Sequence, residues 1–216
     1  MFHFDYKDYS FWCDIGMMTP LQYIRMINLL EEFKPQRVCE FGSGQSTDIF
    51  NVYSKKENVT AYSIEHDIYW NTHKSIMMPL IENAQLVVGG HVYDNCTKYQ
   101  GFEEWLEQQN KFDFVLVDAP NDGIPNNNQG LEYARIQIVD FVLMDKLNDE
   151  SIVMYHDSER DIAQKTLNEF ERLLKEYKYN YKKEIVVEKD KEIFEYNEKI
   201  LGVCPQLTVY KINKTK

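Results

Sequence analysis

No apolar run in this 216-residue chain approaches the ~20 residues that a membrane-spanning helix needs. The first twelve residues, MFHFDYKDYSFW, lack both the basic and the apolar region of a secretion signal. Those absences predict a cytoplasmic protein with no membrane partner. Positive charge is short as well: 24 Lys and Arg stand against 35 Asp and Glu, a formal net charge of −11. Phosphate backbones need a basic face, so a general nucleic-acid binder is not expected. The one local concentration of cations, YKYNYKKE at 177–184, reads as a solvated helix end and strand. Cys13, Cys39, Cys96 and Cys204 are scattered and form no CxxC pair, whereas a zinc site needs clustered ligands. All four read as free thiols in a reducing compartment, Cys39 as a small hydrophobe within an apolar run. Internal repeats and low-complexity blocks are absent.

Apolar residues make up 44% of the sequence, enough for a full core and a single domain over 1–216. TPLQYIRMINLLEEF (19–33) predicts a helix capped by Thr19, with Pro20 at its first position and Gln22 completing a capping box. Leu21, Ile24, Ile27 and Leu30 recur at helical spacing. Strands and helices then alternate: strand 37–41, helix 46–56, strand 60–67, helix 69–83, strand 85–90, helix 102–109. Strand 112–120, helix 131–147, strand 151–157 and helix 159–177 follow. Two strand candidates, 181–188 and 206–212, close the chain with a loop between them. Short apolar strands separated by helices imply βαβ units. The expected fold is α/β, a doubly wound Rossmann-like sheet of about seven strands, mostly parallel with a C-terminal antiparallel hairpin at one edge. Ligands of such sheets bind at the carboxyl ends of the strands.

RVCEFGSGQST, residues 37–47, lies at the first such end. Gly42 and Gly44 allow a tight turn and close approach of a ligand to backbone, and amides at a helix start can bind an anion. Thr47, next to Ser46, stands where the dinucleotide-binding fingerprint has its third glycine, and GxGxxT alone is a weak signal. Glu40 changes the reading. It would repel a pyrophosphate, which speaks against a nicotinamide-dependent oxidoreductase. It suits a ligand with an ammonium as well as a carboxylate, such as the amino-acid end of S-adenosylmethionine. About 20 residues beyond Gly44 stands Glu65, at the end of the second strand, the place for a carboxylate that accepts hydrogen bonds from ribose. The plainer reading makes Glu40 and Glu65 ordinary charged residues at strand ends.

Together VCEFGSGQST, YSIEHD, FDFVLVDAP and IVMYHDSER resemble the successive motifs of class I S-adenosylmethionine-dependent methyltransferases, over roughly residues 18–213. The resemblance extends to small bacterial enzymes of surface-glycan pathways and to the catechol and caffeoyl-CoA O-methyltransferase-like group. It implies that Glu40, Phe41, Gly42, Ser43, Gly44 and Ser46 hold the methionine part, Glu65 the ribose, and that His66 flanks the adenosine. Asp118 would join them from the fourth strand, and the GGHVYD stretch would lie near adenine.

Methyl transfer requires an oriented acceptor that loses a proton. Asp118 ends the fourth strand, and His156 and Asp157 end the fifth. His156 is the expected general base, since its unperturbed pKa lies near neutrality. Asp157 either acts there or caps the next helix, and Arg160 either pairs with it or binds an anionic acceptor. The bland reading of HDSER is a helix start capped by Asp or Ser. Catechol-type enzymes hold a divalent metal between an acid on strand four and an Asp-Asn pair on strand five. Here those positions are Asp118, His156 and Asp157, so a metal is an alternative rather than the expectation. The 120–130 loop reads as a lid or a surface loop. Residues 1–18, with Phe11, Trp12, Met17 and Met18, read as an acceptor-site cover or a packing strap. VDAP lacks the Asn/Asp-Pro-Pro-aromatic motif of amino-group methylases, which favours an oxygen acceptor on a small molecule such as a sugar derivative. His3, His73 and His91 have no motif support. The alternative from another class is a non-catalytic S-adenosylmethionine-binding module.

Overall fold

Pro20 opens the first helix, α1 (Pro20–Phe33), where its missing N–H costs nothing. Gln22 Oε1 accepts the Thr19 N–H at 2.9 Å, and Gln22 Nε2 reaches across to donate to Pro205 O at 2.8 Å. The computed structural model of the chain describes residues 18–65, 82–85, 92–93, 96–97, 99, 101–119, 134–189, 191, 193, 195, 198–199 and 204–215. Within these, β1 (Arg37–Phe41), α2 (Gln45–Glu57), β2 (Thr60–Glu65) and β3 (Glu82–Gln85) follow α1. A two-stranded antiparallel ribbon, β4 (Val92–Tyr93) with β5 (Cys96–Thr97), precedes α3 (Phe102–Gln108) and β6 (Phe112–Val117). A 3₁₀ turn (Ala134–Gln137) leads into α4 (Ile138–Leu143), then β7 (Leu147–His156), α5 (Asp161–Glu176), β8 (Tyr179–Val187) and β9 (Gln206–Lys214).

The main sheet has seven strands in the order β3-β2-β1-β6-β7-β9-β8. Pairings from β3 through β7 are parallel, and β9 runs antiparallel to both of its neighbours. The terminal hairpin is thus present, with the later strand inside and β8 at the edge. Alternation along β6 sends Val115 and Val117 into one core and Phe114 and Leu116 into the other. This is the pattern of a strand covered on both faces. The first core is closed by α3, α4 and α5 through Phe102, Phe141, Leu167 and Phe170, and the second by α1 and α2 through Met26, Leu30 and Phe50. Each such side chain, fully buried, stabilises the fold by roughly 1.5–3 kcal/mol.

Several expectations shift. The α1 face is rotated: Tyr23, Met26, Ile27 and Leu30 are buried, while Leu21 and Ile24 are half-buried. Gln22, turned inward to Pro205, pulls that face round. The described third strand is Glu82–Gln85, two residues of which had been expected in the preceding helix. The helix expected over 131–147 is a 3₁₀ turn and a short α4, because β7 begins at Leu147 after a turn with Asp145 at φ 52°. The β8–β9 connection contains helical residues, Lys191 among them, where a plain loop was expected. The fifth-strand helix starts at Asp161 with Arg160 at its cap position and no side-chain cap, so neither Asp157 nor Ser158 caps it. Cys39 and Cys204 are free and buried. No described helix is long and apolar enough to cross a membrane.

Candidate active site

Strand order reverses between β1 and β6, and register aligns the residues on either side of that point. Phe41 pairs with Ile64 of β2 and with Val117 of β6, and Val117 pairs with Tyr155 of β7. One step further along each strand, Gly42, Glu65, Asp118 and His156 therefore form a single row at the carboxyl edge. Two backbone bonds lock it: Gly42 N–H to Ile64 O at 2.8 Å and Asp118 N–H to Phe41 O at 2.9 Å.

Gly42 holds a left-handed φ of 87°, and a Cβ there would sit 2.5 Å from Asp118 O. The turn needs glycine at that position twice over. Gly44 is extended, with φ −160°, and a Cβ there would meet nothing within 4 Å. The space beside its Cα is the open side of the turn. Ser43 N–H donates to Glu65 Oε2 at 2.7 Å, and Ser43 Oγ lies 2.7 Å from Ser63 Oγ. Gly44 N–H donates to Thr47 Oγ1 at 2.8 Å. Glu40 lies beneath the turn, fully buried, on the face of β1 that looks toward α2. Ser46 Oγ donates to its Oε2 at 2.6 Å and Thr47 Oγ1 to its Oε1 at 2.5 Å. Burial pushes the Glu40 carboxyl up to about 7, against the opposing hydrogen bonds from Ser46, Thr47 and Ser63. Thr47, in the place of a third glycine, and Ser46 beside it thus have a use that glycine could not fill. The Phe41 side chain points away from the turn into the core, stacked on Tyr99 with ring centroids 5.9 Å apart. His66 lies outside the described residues, as do residues 1–17, the 120–130 loop and most of the GGHVYD stretch.

The other half of the row is a charge cluster. His156 Nδ1 lies 2.8 Å from Asp118 Oδ1 and 3.7 Å from Asp157 Oδ1. His156 is fully buried, and its Nε2 has no hydrogen-bond partner among the described residues. Burial pulls the imidazole pKa down, but the charges of Asp118 and Asp157 and the Asp118 hydrogen bond outweigh it and raise the pKa. Asp157 follows His156 at a left-handed φ of 55° and is buried. Arg160 Nη2 pairs with Asp157 Oδ2 at 3.1 Å. Arg135, from the 3₁₀ turn, enters the cluster as a buried guanidinium. Its Nε donates to Ala119 O and its Nη1 to His156 O, each at 2.5 Å. Its Nη2 lies 3.3 Å from Asp157 Oδ2 and 3.6 Å from Asp118 Oδ1. Donor atoms of Asp118, His156 and Asp157 all lie within 4.8 Å of one another.

The structure thus brings together Glu40, Gly42, Ser43, Gly44, Ser46 and Glu65 around the turn, and Asp118, His156, Asp157 and Arg160 beside it. Sequence reasoning missed Thr47, Ser63 and Arg135. Thr47 lies inside the turn motif but was given no role there, and Ser63 is a hydroxyl without a motif. Arg135 shares a helical stripe with Ile138 and Val142, and a cation on an apolar stripe was the available signal. Tyr99 was missed too: Gln137 clasps its backbone from both sides, at 2.6 Å and 3.3 Å.

No protein-family model matches the chain, and no curated protein matches it. Solved structures do. A Podospora anserina methyltransferase with SAH bound is 14% identical, with a TM-score of 0.54 over 93% of this chain and 81% of that one. A candidate caffeoyl-CoA O-methyltransferase from Staphylococcus aureus is 11% identical, with a TM-score of 0.50 over 91% and 86%. A spermidine synthase in complex with the transition-state analogue AdoDATO is 14% identical, with a TM-score of 0.53 over 90% and 63%. At these identities the likeness establishes the fold, the Rossmann-like methyltransferase fold that the motifs implied. A synthase that shares it leaves the reaction to be argued from the site.

Proposed function

We propose that the chain is an S-adenosylmethionine-dependent methyltransferase that acts on an oxygen of a small molecule, with a sugar derivative of surface-polysaccharide synthesis as the favoured acceptor class. The observation that carries this reading is the open backbone of Gly44 next to Glu65, above a buried Glu40, at the point where strand order reverses. Open backbone admits a ligand closely, and two carboxylates select one with an ammonium and a diol rather than a pyrophosphate.

S-adenosylmethionine, when bound, supplies an electrophilic methyl carbon on a sulfonium. The open space beside Gly44, at the turn that Gly42 and Ser43 build, would take its methionine part, with Glu65 on the ribose hydroxyls and His66 beside the adenosine. Glu40, steadied by Ser46 and Thr47, supplies the negative charge that favours the ammonium; an approaching cation draws its carboxyl into the ionised form. Phe41 supports the turn from the core side. On the acceptor side, Asp118 accepts a hydrogen bond from the Nδ1–H of His156, which holds the tautomer whose Nε2 lone pair can accept the acceptor hydroxyl's proton. Asp157 adds negative charge that stabilises the imidazolium formed, and Arg160 holds Asp157 in place. Asp118 thereby serves the base rather than a metal ion.

The complete burial of His156 favours a second reading, a non-catalytic module that binds the same nucleoside. Two measurements separate the readings. Calorimetry with S-adenosylhomocysteine tests the site, and methyl transfer across nucleotide sugars, sugar phosphates and catechols, with and without EDTA, tests the reaction. Binding with turnover that survives chelation is expected. Binding without turnover on any acceptor would favour the module, and no binding would remove both.

A further inference from the structure

Asp118, His156 and Asp157 are spaced as ligands of a divalent cation would be, yet the cluster already contains its cation. Arg135 is buried at 4% exposure, and four contacts fix its guanidinium: the carbonyls of Ala119 and His156 and the carboxylates of Asp157 and Asp118. The two carbonyls stand just beyond β6 and at the end of β7, so the guanidinium cannot swing aside without giving up both hydrogen bonds. The Tyr155 ring, 5.8 Å from its centre, backs it further.

Charge and donor chemistry agree. Asp118 and Asp157 bring two negative charges to the cluster and Arg135 and Arg160 two positive ones, with Glu159, 3.8 Å from Arg160, as a third acid at the rim. A divalent ion would add two more positive charges next to a buried guanidinium. It would also have to displace the hydrogen bond that joins His156 Nδ1 to Asp118 across 2.8 Å.

The geometry points to Arg135 as the resident cation of this site: it occupies the electrostatic place of a divalent metal, keeps the Asp118–His156–Asp157 cluster metal-free, and its removal would open that cluster to a metal ion. The inference goes beyond the methyltransferase reading and stands or falls without it, because its test measures metal binding rather than turnover.

The test is calorimetric titration of the full chain, stripped with chelator, with Mn²⁺. The wild type should show no stoichiometric site. Arg135→Met should bind one Mn²⁺ at least about tenfold more tightly than the wild type does, as an exposed carboxylate and imidazole set would. Arg135→Lys, which keeps the charge, should gain nothing. A single Mn²⁺ site in the wild type that Asp118→Asn removes would overturn the inference, as would a folded Arg135→Met that gains no affinity. Should Arg135→Met fail to fold, the comparison of wild type with Asp118→Asn decides alone, and absence of a site in both supports the resident cation.

Discussion

His156 Nδ1 and Asp118 Oδ1 lie 2.8 Å apart across the ends of two adjacent parallel strands, and the imidazole's other nitrogen is buried without a partner among the described residues. An ionised carboxylate only accepts, so Nδ1 carries the proton and Nε2 the lone pair. If Nε2 is the proton acceptor, His156→Ala should lower kcat by about 10²–10⁴-fold with S-adenosylhomocysteine affinity nearly unchanged. The wild-type rate should rise with pH through a midpoint above the ordinary histidine value, since the protonated ring cannot act as base and the two aspartates raise its pKa. Asp118→Asn removes one source of that rise, so the midpoint should move to lower pH while kcat falls. A pH–rate profile of both proteins checks this; an unmoved midpoint would assign the limb to another group.

Glu65 has two tasks in the proposed site. It accepts the Ser43 amide at 2.7 Å and would accept from ribose. Charge-assisted hydrogen bonds are worth roughly 1.5–3 kcal/mol each, so Glu65→Ala should weaken S-adenosylhomocysteine binding by about tenfold or more. Calorimetry that returns the wild-type affinity would sink the ribose assignment.

Glu40 makes stability depend on pH in a direction unusual for a carboxylate. Its folded pKa is raised from 4.5 to about 7 by burial. The folded chain therefore binds this proton over a range in which the unfolded chain has lost it. The group's favourable contribution is complete below about pH 4.5 and is lost as pH rises towards 7. Glu40→Gln escapes that loss. Relative to wild type it should gain up to about 3 kcal/mol between pH 4.5 and 8, read from denaturant unfolding at each pH. The same variant should bind S-adenosylhomocysteine more weakly, because it offers the ammonium no negative charge.

Parts of this architecture were readable from sequence because burial leaves a direct trace there. β1, β6 and β7 are apolar on both faces, and their ends were identified with Glu40, Asp118 and His156 in place. Pairing leaves less trace: β3 is the polar Glu82–Gln85, held by its register with β2 from Tyr62 to Glu65 rather than by hydrophobicity. The start of β7 was missed for the same reason, since Glu150 belongs to the strand through its pairing with Asn213. Arg135 left a weak trace, a cation on an apolar stripe, but its role was hidden because its partners are two backbone carbonyls and two acids distant in sequence. Only the fold brings them together.

Gly42 and Gly44 look equivalent in EFGSGQS, yet the structure gives them different work. An alanine at 42 would need φ 87° and would bring its Cβ to 2.5 Å from Asp118 O, which is backbone and cannot yield cheaply. Gly42→Ala should therefore destabilise the fold by about 1–3 kcal/mol or more, seen as a lower unfolding midpoint. Gly44 is extended at φ −160° with open space before it, so alanine there strains nothing in the free protein. If that space belongs to the ligand, Gly44→Ala should keep the wild-type melting temperature and lose S-adenosylhomocysteine affinity by about tenfold, as a methyl group displaces the close backbone approach. Equal affinity with equal stability would mean that the ligand does not pass over Gly44, and the cofactor site would have to be sought elsewhere along the strand ends.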